Sequence, residues 1–215
     1  TTVTLLFQLF KNLGYKTGLL STVTNVIIDK EITATHTTPD PVQLNDLLAQ
    51  MVKAGCTHCF MEVSSHAIDQ ERVAGLEFSG AIFTNLSHDH LDYHKTFNNY
   101  IRTKKRLFDA LPSTAFALLN ADDKHHVVMT EHCKAKVQTF GLRNPADFKT
   151  KIIEAQIDGM LLKINEHEFW TRLIGNFNAY NITAVYAIAI LLGQDQLQVL
   201  TTLSTMHSVR GRFEY

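Results

Sequence analysis

The sequence predicts an α/β fold in which a mostly parallel sheet is flanked by helices and carries a small antiparallel β appendage. Before Phe148, short continuous apolar strand patterns alternate with helix patterns, which is typical of a parallel sheet covered on both faces. From Phe148 onward, short strand patterns follow one another directly, as in antiparallel hairpins, before two helices close the chain. The 215 residues suffice for one such domain with a substantial core.

Local signals predict where the individual elements begin and end. Apolar residues at helical spacing over residues 3–13 predict a first helix, which Gly14 ends. A later helix begins at Pro41, a residue favoured in the first helical turn, with Asp40 as its N-cap, and it ends at Gly55. The other predicted elements are strands over 17–22, 57–63, 80–85, 116–120, 137–140, 151–154, 159–164 and 168–170, a hairpin over 26–35, and helices from 65 and over 98–110, 122–133, 176–192 and 194–206.

Composition and charge exclude several functional classes. The formal net charge is −1, so the chain lacks the broad basic field of a nucleic-acid-binding protein. No apolar run approaches the roughly 18 residues of a membrane span, and no signal-peptide pattern opens the sequence. Three cysteines, an odd number, argue against a disulfide framework and fit a reducing compartment. We therefore expect a cytoplasmic protein that binds neither nucleic acid nor membrane.

Two polar segments follow apolar strand patterns and predict a single cleft. One runs from Met61 through Glu62 to His66, and the other, from Asn85 to His94, contains three histidines and two aspartates. Because parallel strands end at the same edge of a sheet, these side chains suggest a metal site or a catalytic edge. Alone, the histidines also fit a solvated loop, and Glu62 also fits an exposed acid or a helix cap.

The residues leave two other functions open. One is a zinc-dependent hydrolase built on the His88–His94 loop. Metallo-β-lactamase-like hydrolases use the pattern H-x-H-x-D-H, whereas this chain reads H-x-H-x-D-x-H, because Tyr93 is inserted and rotates the last imidazole away. The other is a non-catalytic nucleotide-binding domain.

A series of motifs carries a family resemblance over essentially the whole chain. The motifs are Thr1-Thr2, Thr37-Thr38-Pro39, M-E-V-S-S-H at 61–66, Q-x-R-V at 70–73, T-N-L-S-x-D-H-L-D-Y-H at 84–94, Lys104, N-A-D-D at 120–123, G-x-F-N-x-x-N at 175–181 and G-R-F-E at 211–214. This order resembles the central, ATP-binding domain of the Mur ligases, most closely the UDP-N-acetylmuramoyl-tripeptide synthetase type. The resemblance implies a P-loop-NTPase-like fold. It also implies that residues 1–215 are a fragment, with the phosphate loop (G-T-N-G-K before Thr1) and the N- and C-terminal domains outside this chain.

The resemblance further implies an ATP-dependent acid–amino-acid ligase of peptidoglycan precursor synthesis. With ATP and Mg²⁺, a carboxylate of UDP-N-acetylmuramoyl-L-alanyl-D-glutamate becomes an acyl phosphate, and the amine of an incoming amino acid then forms the amide. That amino acid is meso-diaminopimelate, the commoner choice in the family, or L-lysine. The residues that would select it lie outside this chain. A monomer is expected.

Roles for individual residues follow from the same resemblance. Lys104, His90 and Glu62 are the implied catalytic residues, and Lys104 is expected to be carbamylated to N6-carboxylysine; register alone selects it over Lys105. The implied Mg²⁺ ligands are Thr1, Glu62, His90 and Lys104. The implied ATP-binding residues are Thr1, Thr2, Asn178, Asn181 and Arg212. The implied substrate-binding residues are Thr37, Thr38, Ser64, Gln70 and Arg72.

Overall fold

The computed structural model describes residues 1–87 and 91–207, which form helices and strands in nearly the predicted order. The helices are α1 (Thr2–Asn12), α2 (Pro41–Ala54), α3 (Ser65–Asp69), α4 (Leu91–His94), α5 (Phe97–Asp109), α6 (His126–Thr130), α7 (Asn176–Leu191) and α8 (Gln196–Thr205). The strands are β1 (Thr17–Leu20), β2 (Thr24–Ile27), β3 (Lys30–Thr33), β4 (His58–Met61), β5 (Gly80–Phe83), β6 (Phe116–Asn120), β7 (Lys136–Gly141), β8 (Phe148–Gln156), β9 (Gly159–Ile164) and β10 (His167–Thr171).

The strands form two sheets, with β4 at an edge of the first and β5 at an edge of the second. The first sheet has the order β3-β2-β1-β4, in which β1 is parallel to β4 and antiparallel to β2. The second has the order β10-β9-β8-β7-β6-β5 and is parallel from β5 to β8 and antiparallel from β8 to β10. The predicted fold class is therefore confirmed, and the antiparallel appendage continues the parallel sheet.

Helices cover both faces of the second sheet. Successive residues of β6 point to opposite faces, so Leu118 packs in the core that contains α1 and α7, whereas Leu119 packs with Phe108 of α5. Helix α7 is apolar nearly all round, as expected of a helix that α1, α8 and the sheet surround. None of the helices in the described ranges combines the length and apolar character needed to cross a bilayer.

The predicted ends of α1 and α2 are confirmed. Oδ1 of Asp40 accepts hydrogen bonds from the backbone N–H groups of Val42 (3.0 Å) and Gln43 (3.1 Å), and Pro41 is the first helical residue. Gly55 ends α2 with φ +84°, and Gly14 follows α1 with φ +92°. Glycine adopts this left-handed conformation without the steric cost that a Cβ atom brings, so both stops are encoded locally.

The predicted helix over 122–133 is wrong in its bounds, because only His126–Thr130 is helical. Both aspartates at its expected start are engaged elsewhere. Asp123 accepts a hydrogen bond from the backbone N–H of Leu86 at 2.8 Å. Asp122 accepts three from the backbone N–H groups of residues 142–144, at 2.6–2.9 Å. The N-A-D-D segment therefore ties β6 to the segments after β5 and β7 instead of beginning a helix.

We expect Asp122→Asn to lower the free energy of unfolding by about 1–3 kcal/mol at neutral pH, because a partly buried charged acceptor of several hydrogen bonds is lost. Burial by itself raises the pKa of Asp122, but the hydrogen bonds from residues 142–144 and the Tyr180 hydroxyl outweigh it and lower the pKa to about 2. A pKa below the ordinary 3.8 means stabilisation that is complete above that value and lost as pH falls toward about 2. Denaturant unfolding at pH 7 and about pH 2.5 checks this. An equal difference between variant and wild type at both pH values would contradict it.

Candidate functional site

A cavity of about 1270 Å³ lies between the edge strands β4 and β5. Its walls include residues 57–63 and 77–85, so it follows both strands along their whole lengths. Helix α1 contributes Val3 and Leu6, and α5 contributes Leu107 and Phe108. Polar side chains gather where the strands end: Glu62 follows β4, Asn85 lies beyond β5 and Asn120 ends β6. Also lining the cavity are Thr1, Thr2, Lys104, Asp123, Arg143 and Asn181.

The carboxylate of Glu62 is held in place by Thr22, in the loop after β1. Because β1 and β4 are parallel neighbours, their carboxyl ends reach the same sheet edge and bring the two residues together. The Thr22 hydroxyl donates a hydrogen bond to Oε2 of Glu62 at 2.6 Å, and the Thr22 backbone N–H donates to the same oxygen at 3.3 Å. Oε1 lies 3.6 Å from the backbone nitrogen of Thr1. One carboxylate oxygen is thus fixed, while the other faces the start of α1.

Thr2 and Asn181 meet at the same cavity, although they are far apart in the sequence. Oγ1 of Thr2 donates a hydrogen bond to Oδ1 of Asn181 at 3.0 Å. Nδ2 of Asn181 donates to Oδ1 of Asn178 at 3.3 Å, and Nδ2 of Asn178 donates to the carbonyl of Ile174 at 2.8 Å. Asn178 is buried and Asn181 lines the cavity, so Asn181 is the residue of this predicted pair that faces the cavity, while Asn178 orients its amide.

Lys104 also faces the cavity, from α5. Its Nζ lies 5.3 Å from the centroid of the Tyr100 ring, and burial lowers the pKa of Lys104 below its ordinary value. Within the described ranges, no carboxylate lies within ion-pairing distance of this ammonium group. By contrast, Lys105 binds the carboxylate of Asp109 and the carbonyl of Glu131. Of these two adjacent lysines, Lys104 is therefore the one available to a ligand in the cavity.

Three of the predicted substrate-binding residues lie beside Glu62. Oγ1 of Thr37 is 3.3 Å from Oγ1 of Thr22. Oγ1 of Thr38 donates to the carbonyl of Glu62 at 2.9 Å and accepts from the backbone N–H of Ser64 at 3.1 Å. Thr38 is 0% exposed, and the Ser64 hydroxyl caps α3. Their hydroxyl groups therefore fix the backbone around Glu62, whereas the hydroxyl of Thr37 lies on the outside of this cluster.

Gln70 and Arg72 extend this surface beyond α3. Nε and Nη2 of Arg72 donate to Oε1 of Gln70 at 2.9 and 2.6 Å, and Nη1 of Arg72 donates to the carbonyl of Thr38 at 2.8 Å. Nε2 of Gln70 donates to the hydroxyl of Tyr93 at 3.3 Å. Thr37, Thr38, Ser64, Gln70 and Arg72 therefore form a hydrogen-bonded cluster next to Glu62.

Two predicted site residues, His90 and Arg212, lie outside the described residues, as does His88 of the suggested zinc loop. Within 1–87 and 91–207, no group of three or more His, Cys, Asp or Glu side chains is arranged to hold a metal ion. His94, the last histidine of that loop, is buried, and its Nε2 lies 2.9 Å from Oγ of Ser65. The described part of the chain gives the zinc-hydrolase alternative no support.

Two of the three cysteines, Cys56 and Cys59, have C-x-x-C spacing. Cys56 and Cys59 are free cysteines, and Cys59 lines the cavity from β4. Burial, reinforced by the nearby Cys56, raises the pKa of Cys59 to about 12. A raised pKa favours the protonated thiol, which is a weaker nucleophile and metal ligand than the thiolate.

Thr22 and Tyr93 contact predicted site residues without having been predicted as site residues themselves. For Thr22, a signal exists: it follows β1, and a strand parallel to the one before Glu62 brings its own end to the same edge. Tyr93 belongs to the D-H-L-D-Y-H motif, but its partners Asp69 and Gln70 precede it by 24 and 23 residues. No spacing rule connects residues so far apart, so this contact requires the fold.

Comparison with known proteins identifies the family. A family model described as the Mur ligase middle domain matches residues 1–189. A UDP-N-acetylmuramoyl-L-alanyl-D-glutamate–2,6-diaminopimelate ligase from Cytophaga hutchinsonii is 60% identical over 214 residues, covering 100% of this chain and 44% of that protein. The protein of the same name from Bacteroides thetaiotaomicron is 53% identical with the same coverage. The chain thus spans less than half the length of these curated relatives.

Solved structures agree with the sequence comparison. The structure of a UDP-N-acetylmuramoyl-L-alanyl-D-glutamate–2,6-diaminopimelate ligase matches with a TM-score of 0.87 at 28% identity, covering 100% of this chain and 45% of that one. A crystal structure of MurF from Acinetobacter baumannii matches with a TM-score of 0.75 at 16% identity, which shows a shared fold. Both agree with the resemblance found in the motifs. Because the family model covers 189 of the 215 residues, the chain belongs to the Mur ligase family.

Proposed function

We propose that this chain is the central, ATP-binding domain of a ligase that adds meso-diaminopimelate to UDP-N-acetylmuramoyl-L-alanyl-D-glutamate during peptidoglycan precursor synthesis. The observation that carries the proposal is that Thr1, Thr2, Glu62, Lys104 and Asn181 line one cavity. The relatives at 52–60% identity are named as 2,6-diaminopimelate ligases, which favours meso-diaminopimelate over L-lysine as the amino acid added.

The shape of the cavity supports a phosphate loop directly before Thr1. A phosphate loop connects a strand to the N-terminus of a helix, and its backbone N–H groups cradle the phosphates. The cavity follows β4 and β5 along their lengths, has apolar side chains of α1 and α5 on its walls, and reaches Thr1 at the start of α1. A strand that filled this space parallel to β4 would end beside Thr1. Thr1 would then be the hydroxyl residue that closes the G-x-x-x-x-G-K-[ST] pattern.

The donor atoms around Glu62 fit Mg²⁺. Mg²⁺ prefers oxygen ligands and is commonly bound by one or two carboxylates together with substrate phosphates. Glu62 directs one carboxylate oxygen toward the start of α1, and the Thr1 side chain lines the same cavity. We assign these two residues as Mg²⁺ ligands, with His90 as a further ligand by family resemblance. When bound, the ion would neutralise charge on the phosphates that the substrate carboxylate must approach.

Lys104 suits the proposed carbamylation. The reaction joins a neutral amine nitrogen to the carbon of CO₂ and releases a proton, so an ammonium ion cannot react. Burial lowers the pKa of Lys104, which increases the neutral fraction at a given pH. The resulting N6-carboxylysine would carry a negative charge and supply oxygen donors for a second Mg²⁺ in a cavity that Glu62 shares.

The proposed reaction has two steps. An oxygen of the substrate carboxylate attacks the γ-phosphorus of ATP, and the bond from that phosphorus to the ADP oxygen breaks. The amine of the amino acid then attacks the acyl carbon, the bond to phosphate breaks, and the amine loses a proton. In this scheme Asn181 and Thr2 hold the nucleotide, while Arg72 and Thr37 hold the anionic muramoyl substrate; Arg212 is assigned to the phosphates by family resemblance alone. We further propose that the protein is a cytoplasmic monomer and that the amino acid binds to a part of the protein outside residues 1–215.

The proposal is tested with the full-length protein supplied with ATP, Mg²⁺, UDP-N-acetylmuramoyl-L-alanyl-D-glutamate and meso-diaminopimelate. We expect ADP and phosphate in equal amounts and a nucleotide-linked tripeptide identified by mass spectrometry, with no product when any one component is left out. L-Lysine is the matched alternative acceptor. ATP turnover that does not depend on the muramoyl dipeptide would overturn the proposed function. A higher kcat/KM for L-lysine would overturn only the choice of amino acid.

A further inference from the structure

The hydroxyl of Tyr93 sits between an acid and an amide in a way that fixes the direction of both hydrogen bonds. It donates to Oδ2 of Asp69 at 2.8 Å and accepts from Nε2 of Gln70 at 3.3 Å. An ionised carboxylate can only accept, so the single proton of the tyrosine is committed to Asp69. The hydroxyl can then only accept from Gln70, which turns the amide nitrogen of Gln70 toward Tyr93 and its oxygen toward Arg72.

The orientation of the Gln70 amide in turn fixes Arg72. Oε1 of Gln70 accepts from both Nε and Nη2 of Arg72, and the Thr38 carbonyl accepts from Nη1. A guanidinium group has five N–H donors, so these bonds use three of them and leave one on each of Nη1 and Nη2. Two such donors suit a carboxylate or phosphate group, which arginine often binds through a pair of parallel hydrogen bonds. With Gln70 reversed, its NH₂ group would face Arg72 and push the guanidinium away.

The backbone after α3 brings these side chains together. The N–H of Arg72 bonds to the carbonyl of Ala67, and the N–H of Glu71 bonds to that of Ile68. Glu71 is left-handed, with φ +55°. This is the Schellman arrangement that ends a helix, here with glutamate where glycine is usual. It reverses the chain between Gln70 and Arg72, so that their side chains meet.

The second carboxylate oxygen of Asp69, Oδ1, forms an ion pair with an arginine. Arg106 of α5 lies 3.6 Å from Oδ1 of Asp69 and 3.6 Å from Glu71. The ring of Tyr93 packs on His66, with centroids 4.2 Å apart. The tyrosine is therefore held by its ring on one side and by its hydroxyl on the other, independently of Arg72.

We infer that Tyr93 is a positioning residue for the muramoyl substrate: through Gln70, it sets the guanidinium of Arg72 so that two N–H groups face an anionic group of that substrate. The inference rests on the proposed function, because it takes UDP-N-acetylmuramoyl-L-alanyl-D-glutamate as the ligand. It also gives Gln70 a further role, which is to orient Arg72.

Tyr93→Phe in the full-length protein isolates this effect, because the ring stays on His66 and only the hydroxyl is removed. Because one hydrogen bond is lost between Tyr93 and Gln70, we expect the Kd for UDP-N-acetylmuramoyl-L-alanyl-D-glutamate, measured by calorimetry, to be about 3- to 10-fold higher than that of the wild type. The KM for ATP should not change. Tyr15→Phe is the matched control: this half-exposed tyrosine packs its ring on Phe10 and His58. Its Kd should equal that of the wild type.

A double-mutant cycle distinguishes an action through Arg72 from a direct or general effect. Arg72→Ala alone should weaken binding more than Tyr93→Phe, and the double variant should bind no more weakly than Arg72→Ala. Additive losses, or equal losses in affinity for ATP and for the muramoyl dipeptide, would overturn the inference. A wild-type protein that does not bind the dipeptide at all would instead overturn the proposed function, and the inference with it.

Discussion

Lys104→Ala in the full-length protein is expected to lower kcat by about 10²- to 10³-fold, the size of effect seen when a preorganised charged or polar group is removed from a transition state. The side chain lines the cavity, and burial lowers its pKa, so it is placed to carry the proposed carbamate. A small carboxylate such as acetate should restore part of the lost rate by occupying the space that the side chain leaves. Steady-state rates with and without added carboxylate give the measurement.

Lys105→Ala is the matched control for that experiment. The two lysines are adjacent and identical in charge, but Lys105 is bound to Asp109 and to the carbonyl of Glu131 and does not line the cavity. We expect its kcat to stay close to that of the wild type, because its ammonium group is bound away from the cavity. Depletion of CO₂ should slow the wild-type enzyme reversibly and leave Lys104→Ala unaffected. Unchanged turnover in Lys104→Ala would refute the carbamate role.

Glu62→Gln is expected to weaken Mg²⁺ binding by at least about 10-fold, because even residues that only orient a metal ligand cost that much when they are changed. The amide keeps the shape of the side chain and an oxygen that can accept from Thr22, but it loses the charge. Calorimetric titration of ADP at several Mg²⁺ concentrations measures the effect without depending on turnover. The rate should fall as well, and excess Mg²⁺ should restore part of it.

Glu77→Gln provides the comparison for Glu62→Gln. Glu77 is an exposed acid that lines the same cavity but precedes β5, whereas Glu62 follows β4. The two substitutions remove the same charge from opposite ends of neighbouring strands. If both weaken Mg²⁺ binding equally, the effect is a general one of cavity charge, and Glu62 is not a ligand.

The sequence predicted those parts of the fold that are determined by contacts between residues close together in the chain. Asp40, Pro41 and Gly55 determine α2 through contacts within a few residues, so its ends could be read directly. Asp122 and Asp123 look like a helix start in the same way, yet they bind the loop after β7 and the segment after β5. Sequence patterns report which strands exist but not which edges pair, and for that reason the division into two sheets emerged only from the structure.

In the candidate site, too, some residues could be predicted from local sequence and others only from the fold. Glu62 was predicted from its position at a strand end, and Lys104 from its register in the family resemblance. Composition cannot separate Lys104 from Lys105, because only the fold turns one toward the cavity and the other toward Asp109. Thr22 could have been found because it follows a predicted strand, whereas Tyr93 escaped prediction because its partners come from a distant part of the chain.

The cavity between β4 and β5 also bears on how this domain can be handled in the laboratory. In the described part of the chain, neither strand has a hydrogen-bonding neighbour on that side. Two adjacent open edges, each next to apolar side chains, are a template for intermolecular strand pairing. A recombinant polypeptide limited to these 215 residues would therefore tend to self-associate through these edges.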